Sequence, residues 1–426
     1  MLDPAIIRKN PDAVREGVKK KNVSPLLIDE FLAIDEKWRK ISGELDAARG
    51  NQNKLSDSLA KEKNEANLIR ARELKEKAAI LEAERGELEK KRDEILNCLP
   101  NVPFDDAPTG KDEGENLVLK EVGEKPVRDF EVKDYLAIAE NLGLIDVKKS
   151  GEVSGSRFGY LLGEAALLEL ALVHLAFETL VSEGFMPAIP PVMIKPEVYA
   201  GMGRLAADQK EERYYLEKDN LYLVGSSEHT MGPFHMNDVL DYKTLPRRYV
   251  AFSTCFRREA GSHGKDTKGI LRVHQFDKVE MFSFTEPEKS EEEHKFLLSM
   301  QENLIQKLKL PYRVVSICAG DMGWTDARQY DIEVWLPGQT GADGKKGIYR
   351  ETNSCSNTTD FQARGINARY RGRDGRPEYL HMLNATGFAI GRILIAIIEN
   401  YQQADGSIAV PEALQEYMGK KLIRPA

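Results

Sequence analysis

Residues 254–284 read TCFRREAGSHGKDTKGILRVHQFDKVEMFSF. Two hydrophobic runs flank a glycine-rich, basic loop. Successive side chains of a strand point to opposite faces. In RRYVAFSTCFRREA, Ala251, Ser253, Cys255, Arg257 and Glu259 thus share one face, and Val250, Phe252, Thr254, Phe256 and Arg258 share the other. In RVHQFDKVEMF, His274, Phe276, Lys278, Glu280 and Phe282 lie on one face. The loop between the two runs is roughly a dozen residues, long for a hairpin, and long loops tend to be functional. It holds Gly261, His263, Gly264, Lys265, Lys268 and Gly269. A surface presenting Arg257, Glu259, Phe276 and Glu280 suits a nucleotide, because a guanidinium fork pairs with phosphate and a ring with a base. An exposed, salt-bridged hairpin has the same composition, and the stretch alone does not separate the two readings.

Three further stretches carry polar chemistry. GSSEHT places Ser226 and Glu228 after the apolar run LYLV, a hydroxyl and a carboxylate that can accept from an ammonium. YRETNSCSNTTDFQAR places Glu351 and Ser354 together, both oxygen donors fit for Mg²⁺ carried in on a triphosphate. MLNATGFAIGRILIAIIENY reads as a polar turn, Asn384 to Gly387, ahead of a helix GFAIGRILIAIIENY that bears Arg392 as a second anion clamp.

The first hundred residues are of another kind, dense in Lys, Glu and Ala. Trp38, Ile41, Leu45, Ala48, Gln52, Leu55 and Leu59 step alternately by three and four, as do Leu74, Ala78, Leu81, Arg85, Leu88, Arg92, Ile95 and Leu99. This spacing predicts two heptad helices. The short polar break from Lys61 to Ala66 folds them into an antiparallel hairpin, and Pro100 and Pro103 end the second helix. From heptads alone the plainer role is dimerisation or spacing. Gln52, Arg85 and Arg92 on the seam weaken simple dimer packing, and Lys54, Lys61, Lys63, Arg70, Arg72, Lys75 and Lys77 gather toward the tip. Such an arm could lie along an RNA backbone. After it, residues 104–153 read as a linker and lead-in with one short helix. Residues 154–426 read as α+β, an antiparallel sheet flanked by helices, beginning with the long helix of GEAALLELALVHLAFETLVSEG that Gly184 stops.

The 426 residues are 41% hydrophobic and 31% charged with a net charge of −8, which gives no polycation for nucleic acid, so any RNA contact must be local. Four scattered cysteines form no CxxC pair and point neither to zinc nor to a disulfide framework. The N-terminus MLDPAIIRKN lacks the apolar core of a signal peptide. The apolar runs noted, such as ILIAII, are too short to cross a membrane.

Taken together and in this order, the stretches resemble the seryl-tRNA synthetases, which are class II aminoacyl-tRNA synthetases. The resemblance runs from NPDAVREG to the last helix. GFMPAIPPVM, with Pro191, is similar to class II motif 1, FRREAGSHGKDTKGILRVHQFDKVEMF to motif 2 in its seryl form, and LNATGFAIGRILIAIIENY to motif 3; ETNSCSNTTDFQAR is close to the strip that contacts ATP and magnesium.

The resemblance implies a homodimeric cytoplasmic enzyme that activates L-serine with ATP and passes it to the 3′ end of tRNA(Ser), and of tRNA(Sec), with the arm of one subunit reaching the tRNA on the other. It implies that Arg257, Glu280, Glu351 and Arg392 are the catalytic set, with Arg257 on the α-phosphate and the serine carboxylate. Ser226, Ser227 and Glu228 would hold the amino group, and Glu280, Asn384 and Thr386 the hydroxyl. Arg258, Glu259, Val273, Phe276, Thr352, Asn353 and Arg392 would hold ATP, and Glu351 and Ser354 the Mg²⁺. Against the family's usual pattern, Ser226 replaces Thr, Asn353 replaces Ser, Ala385-Thr386 replaces Gly-Ser, Gly365 replaces Arg and Tyr135 replaces His. Two rivals are a catalytically inactive RNA-binding paralogue, which would lose Arg257, Glu280, Glu351 or Arg392, and a ligase that loads a carrier protein, whose relatives lack the arm.

Overall fold

The computed structural model describes residues 1–426 except 62–64, 206, 261–267, 342–343 and 426. The chain divides into two compact units, Met1–Val102 and Pro103–Ala426.

The first unit is helical. Two short helices, α1 (Pro4–Lys9) and α2 (Pro11–Lys20), each start at a proline, whose missing N–H costs nothing in a first turn. Two long helices follow, α3 (Leu26–Lys61) and α4 (Glu65–Asn97), which pair with each other. Leu45, Ala48, Ala78 and Leu81 form their buried seam with Ile41 against it, the positions that the heptad spacing marks. The two seam arginines find uses that keep them there. Arg92 lies 4.4 Å over the Trp38 ring, a cation–π contact, with its side chain 15% exposed; Arg85 stays half-buried and pairs loosely with Glu89. Lys54, Arg70, Arg72, Lys75 and Lys77 are exposed; Lys63 lies outside the described residues, as does the side chain of Lys61.

The second unit is built on an eight-stranded sheet. In chain order its strands are β1 (Leu117–Val122), β2 (Met186–Ala188), β3 (Arg247–Phe256), β4 (Gln275–Thr285), β5 (Tyr312–Ser316), β6 (Arg328–Thr340), β7 (Lys346–Asn357) and β8 (His381–Ala389). Their spatial order is β1-β5-β6-β7-β8-β4-β3-β2, with neighbours antiparallel except the edge pair β2–β3. Three helices carry the main core: α5 (Glu164–Ser182), α6 (Ser290–Lys307) and α7 (Ile390–Asn400). Leu168 and Leu172 of α5, Leu297 and Leu304 of α6 and Ile393 and Ile397 of α7 bury against Val279 and Met281 of β4. These odd residues of β4 fix the helix side, so Lys278 and Glu280 face the other way.

Three expectations change. Residues 104–153 do more than link, because β1 lies in this stretch and pairs with β5 at the sheet edge. Asn384 to Gly387 is no turn but the middle of β8, buried between β7 and β4. Polar residues there read as a turn only because the ligands that a cleft strand must present are polar too. The helix accordingly starts at Ile390, not Gly387. Among the described residues one helix, α5, is long and apolar enough to cross a membrane by length and composition; in this fold Leu168, Ala171, Leu172, Leu175, Ala176 and Leu180 bury one face of it in the core.

Candidate active site

Strands β3 and β4 pair in register from Arg247–Phe284 to Phe256–Gln275, so the opening hairpin exists, but its loop runs from residue 257 to 274, longer than the sequence reading gave. Gly261, His263, Gly264 and Lys265 lie outside the described residues. The foot of the loop is pinned. The Ile270 amide donates to the Tyr135 hydroxyl at 2.8 Å. A Cβ on Gly269 would stand 1.7 Å from that oxygen, and its φ is +71°, so glycine is required twice over. Tyr135 thus anchors the loop.

Two β-bulges aim the side chains of the cleft. In β8 the register slips at Gly387, so Thr386 stands opposite Glu280 and Phe388 turns to the helix side. In β7 it slips at Thr352. Glu351 and Ser354 are three residues apart and would fall on opposite faces of a regular strand. The extra residue puts both on the cleft face, Ser354 opposite Asp331 and Glu351 opposite Glu333. Asn353 consequently points inward, fully buried, and its Nδ2 donates to the Thr386 and Gly387 carbonyls at 2.9 and 2.7 Å. It clamps the β8 bulge and does not line the cleft.

The cleft has two joined compartments. The larger, about 520 Å³, is lined by Arg204, Arg213, Ser226, Glu228, Arg257, Lys278, Glu280 and Asn384 among others. At its floor Glu280, almost fully buried, accepts from Ser226 Oγ at 3.1 Å and Thr386 Oγ1 at 3.2 Å and is paired with Lys278. Asn384 Nδ2 is buried here with no partner among the described residues. On one side Glu228 accepts from Arg204 Nη2 at 2.7 Å and Gln362 Nε2 at 2.8 Å. Burial works to raise the Glu228 carboxyl, and the Arg204 charge and hydrogen bond, with Gln362 and Lys278, together outweigh it and hold the group below its ordinary value. Arg257 donates from Nε to the Gly225 carbonyl at 3.2 Å, and its guanidinium lies 5.3 Å from the Phe276 ring.

The smaller compartment, about 160 Å³, is lined by Val273, Phe276, Glu351, Thr386 and Arg392, and it shares Arg257, Glu259, Arg272, Lys278 and Ser354 with the larger. Arg392 sits 3.2 Å from Glu351 and, before burial is counted, is what lowers the Glu351 carboxyl. Asp331 behaves oppositely: burial first, then the Glu351 charge, raise it well above the usual range. Glu351 and Ser354 offer hard oxygen donors on one face, with Asp331 behind. Among the described residues no cluster of three or more His, Cys, Asp or Glu could cage a metal ion alone. The Glu351 carboxylate and the Ser354 hydroxyl are the donor types that fit an ion such as Mg²⁺, which takes one or two protein oxygens and completes its shell with phosphates and water.

The structure thus brings together Arg257, Glu280, Glu351, Arg392, Ser226, Glu228, Asn384, Thr386, Glu259, Val273, Phe276, Thr352 and Ser354. It does not bring in three others. Ser227 is fully buried, at the head of the one-turn helix Glu228–Met231, away from the cleft. Arg258 is exposed, its guanidinium 6.0 Å from the Tyr214 ring; it lies beyond the strand end at Phe256, so the strand alternation no longer sets its side, and Glu259 after it takes a φ of +53°. Asn353 is the third. Conversely, Arg204, Arg213, Arg272, Lys278 and Asp331 line or back the cleft and were not singled out from sequence. Lys278 alternates with Glu280 and was legible; Arg204 and Arg213 lie in GMGRLAADQKEERYY, which carries no motif. His274 has a structural part, its Nδ1 3.0 Å from the Arg257 carbonyl. Burial pushes the Cys255 thiol up and the Cys355 thiol well up, which keeps both unreactive.

Residues 1–103 match the family model of the seryl-tRNA synthetase N-terminal domain, and residues 213–401 that of the class II tRNA synthetase core domain (G, H, P, S and T). A serine–tRNA ligase of Acidothermus cellulolyticus is 45% identical over the whole of both chains. The chain belongs to the seryl-tRNA synthetase family. A crystal structure of a seryl-tRNA synthetase from Pyrococcus horikoshii complexed with ATP superposes on it over the whole of both chains with a TM-score of 0.92 at 40% identity. A cytoplasmic serine–tRNA ligase from Naegleria fowleri in complex with AMP does so with 0.88 at 34%, over all of this chain and 99% of the other.

One departure from the family's usual residues now has a cause. Gly365 packs against Gly201, and a Cβ there would come within 1.9 Å of the Gly201 carbonyl oxygen. No side chain fits, so the usual arginine is excluded by the approach of the segments Phe361–Ile366 and Pro196–Gly201.

Proposed function

We propose that this aminoacyl-tRNA synthetase activates L-serine with ATP and transfers the seryl group to the 3′ end of tRNA(Ser). The observation that carries the reading is the cleft floor: a buried carboxylate, Glu280, already ringed by Ser226, Thr386 and Lys278, beside the unpartnered Asn384 amide. Such a floor is built to pair with a small hydroxyl, and an alanine in its place would strand these groups. Serine fits with its hydroxyl on Glu280, its ammonium on the Glu228 carboxylate and its carboxylate at Arg257. The ATP base lies in the smaller compartment between Val273, Phe276 and Arg392.

The serine carboxylate oxygen attacks the α-phosphorus, the bond to the β-phosphate oxygen breaks, and pyrophosphate leaves. No protein base is needed, since the nucleophile is already an anion. Arg257 stabilises the charge that gathers on the α-phosphoryl oxygens, and Arg392 holds the polyphosphate tail. Glu351 and Ser354 are the residues placed to hold Mg²⁺, which supplies charge neutralisation on the phosphates. A ribose hydroxyl of the tRNA terminus then attacks the seryl carbonyl and displaces AMP.

The α3–α4 arm, with its exposed basic residues toward the tip, is suited to the backbone of the long variable arm of a tRNA, including tRNA(Sec). Exposed Leu167, Leu170, Met186, Ile189 and Met193 lie on or beside α5 and the edge strand β2, near Pro191, and suit burial in a symmetric homodimer. The cytoplasm is the compartment of such an enzyme. The test is serine-dependent exchange of pyrophosphate into ATP by wild type and Glu280→Gln. Wild type exchanges and the variant falls by about ten- to a hundredfold, one charged hydrogen bond in the transition state being worth about 1.5–3 kcal/mol. Equal rates would remove Glu280 from the pocket and the reading with it.

A further inference from the structure

Five arginines line the joined cleft: Arg204, Arg213, Arg257, Arg272 and Arg392. Three of them are committed. Arg204 is paired with Glu228, Arg272 with Glu259 and Arg392 with Glu351, at 2.7, 2.7 and 3.2 Å. Among the described residues the other two, Arg257 and Arg213, have no carboxylate partner. They meet over one residue. Arg257 Nε donates to the Gly225 carbonyl, and Arg213 Nη1 lies 2.8 Å from where a Gly225 side chain would begin. Gly225 is therefore the gap through which Arg213 enters the cleft. Arg213 itself lies 5.5 Å over the Tyr199 ring, its Nε buried without a hydrogen-bond partner among the described residues. Burial above all, with the charges of Arg257 and Arg204 adding and Tyr199 opposing, pulls its guanidinium below the ordinary value.

Two guanidiniums held close, without a carboxylate between them, repel one another until an anion arrives. We propose that Arg213 is a second guanidinium for the anion held by Arg257, and that this anion is the carboxylate of the amino acid. The proposal rests on the serine reading and adds a residue to it. Position favours the carboxylate over the α-phosphate. Arg213 lines the larger compartment with Ser226 and Glu228 and does not reach the smaller one, where Val273, Phe276 and Arg392 await the nucleotide. With Glu228 on the ammonium, Glu280 on the hydroxyl and two arginines on the carboxylate, each polar group of the amino acid meets an opposite charge or dipole. Arg213 acts as a positioning residue that orients the attacking oxygen.

The experiment compares wild type, Arg213→Met and Arg213→Lys in pyrophosphate exchange, measuring KM for serine and for ATP separately. It adds the inhibition constant of serinamide, which keeps the ammonium and hydroxyl and lacks the carboxylate. Arg213→Met is expected to raise the serine KM about tenfold or more, the scale of one charge-assisted contact. The ATP KM and the serinamide constant stay within about twofold, and Arg213→Lys recovers part of the loss. If ATP KM rises while serine KM holds, the anion is the α-phosphate and the proposal is wrong. If serine, serinamide and ATP all weaken together, Arg213 only supports Tyr199 and Gly225, and the proposal is equally wrong. Should the methionine variant not fold, the lysine variant decides alone: serine KM must rise while serinamide stays put, and parallel shifts overturn the assignment. A failure of the serine reading shows separately, as absence of serine-dependent exchange in wild type, and would overturn both.

Discussion

Replacing Arg204 by Met leaves Glu228 as a carboxylate without its guanidinium. The pair is well shielded, with side chains 15% and 9% exposed and contacts of 2.7 and 3.3 Å to one oxygen. Removing one member of a buried pair costs about 3–5 kcal/mol. Gln362 still donates to the same oxygen and Glu228 borders the cleft, so the low end, about 3 kcal/mol, applies. The larger effect is on protonation. Arg204 is the leading influence that holds Glu228 below its ordinary value against burial. Without it burial dominates, the folded-state pKa rises above 4.5, and the carboxyl is protonated at mildly acid pH. A protonated Glu228 cannot take an ammonium. Losing one charge-assisted hydrogen bond is worth about 1.5–3 kcal/mol, or roughly a 10- to 100-fold rise in serine KM. In wild type, serine KM stays flat from pH 6 to 8.5; in the variant it is raised most at pH 6 and improves toward pH 8.5. Pyrophosphate exchange across that range, with melting curves alongside, measures both. Adding Glu228→Gln restores stability, because no lone charge is buried, and leaves KM high. A folded Arg204→Met enzyme whose serine KM matches wild type at every pH would show that Glu228 does not hold the ammonium.

Further outcomes follow from single contacts. Gly365→Ala forces a methyl against the Gly201 carbonyl and should lower stability by about 1–3 kcal/mol, as overpacking does; an unchanged melting temperature would mean the two segments part easily. Asp331 keeps its proton longer in the folded state than unfolded, so its burial subtracts stability as pH rises out of the carboxylate range. Asp331→Asn should therefore melt higher than wild type at neutral pH, without added divalent ions, and alike near pH 4; coincident melting at both would contradict this. His294 is lowered to about 4 by burial, its Nδ1 lacking a partner, so the unfolded chain takes the proton first. Stability is lost as pH falls from about 6.5 to about 4, by about 3 kcal/mol from this group. His294→Gln should flatten that slope, and an unaltered slope would place the acid sensitivity elsewhere.

The strand alternation around residue 254 made the face of Phe276, Lys278 and Glu280 legible, and the heptads made the α3–α4 arm legible, because both depend on local periodicity. What stayed hidden depends on register. Nothing in ETNSCSN says that Thr352 is the extra residue of a bulge, yet this decides that Ser354 faces the cleft and Asn353 the core. The same holds for NATG, where polar residues in a central strand mimic a turn. Arg204 and Arg213 come from a segment remote in sequence, and only the fold sets them against Glu228 and Arg257. Ser227 adjoins Ser226 in GSSEHT, but in the fold it is fully buried and lines neither compartment of the cleft. Gly365, an unexplained departure in the sequence, becomes a packing requirement once Gly201 is seen against it.

The decisive measurement is pyrophosphate exchange into ATP with each proteinogenic amino acid in turn, without tRNA. The cleft described here predicts exchange with serine and none with alanine, and little with threonine, whose extra methyl would press on Thr386. Exchange driven by another amino acid, or none at all from a folded enzyme, would contradict a floor in which Glu280 reads a serine hydroxyl.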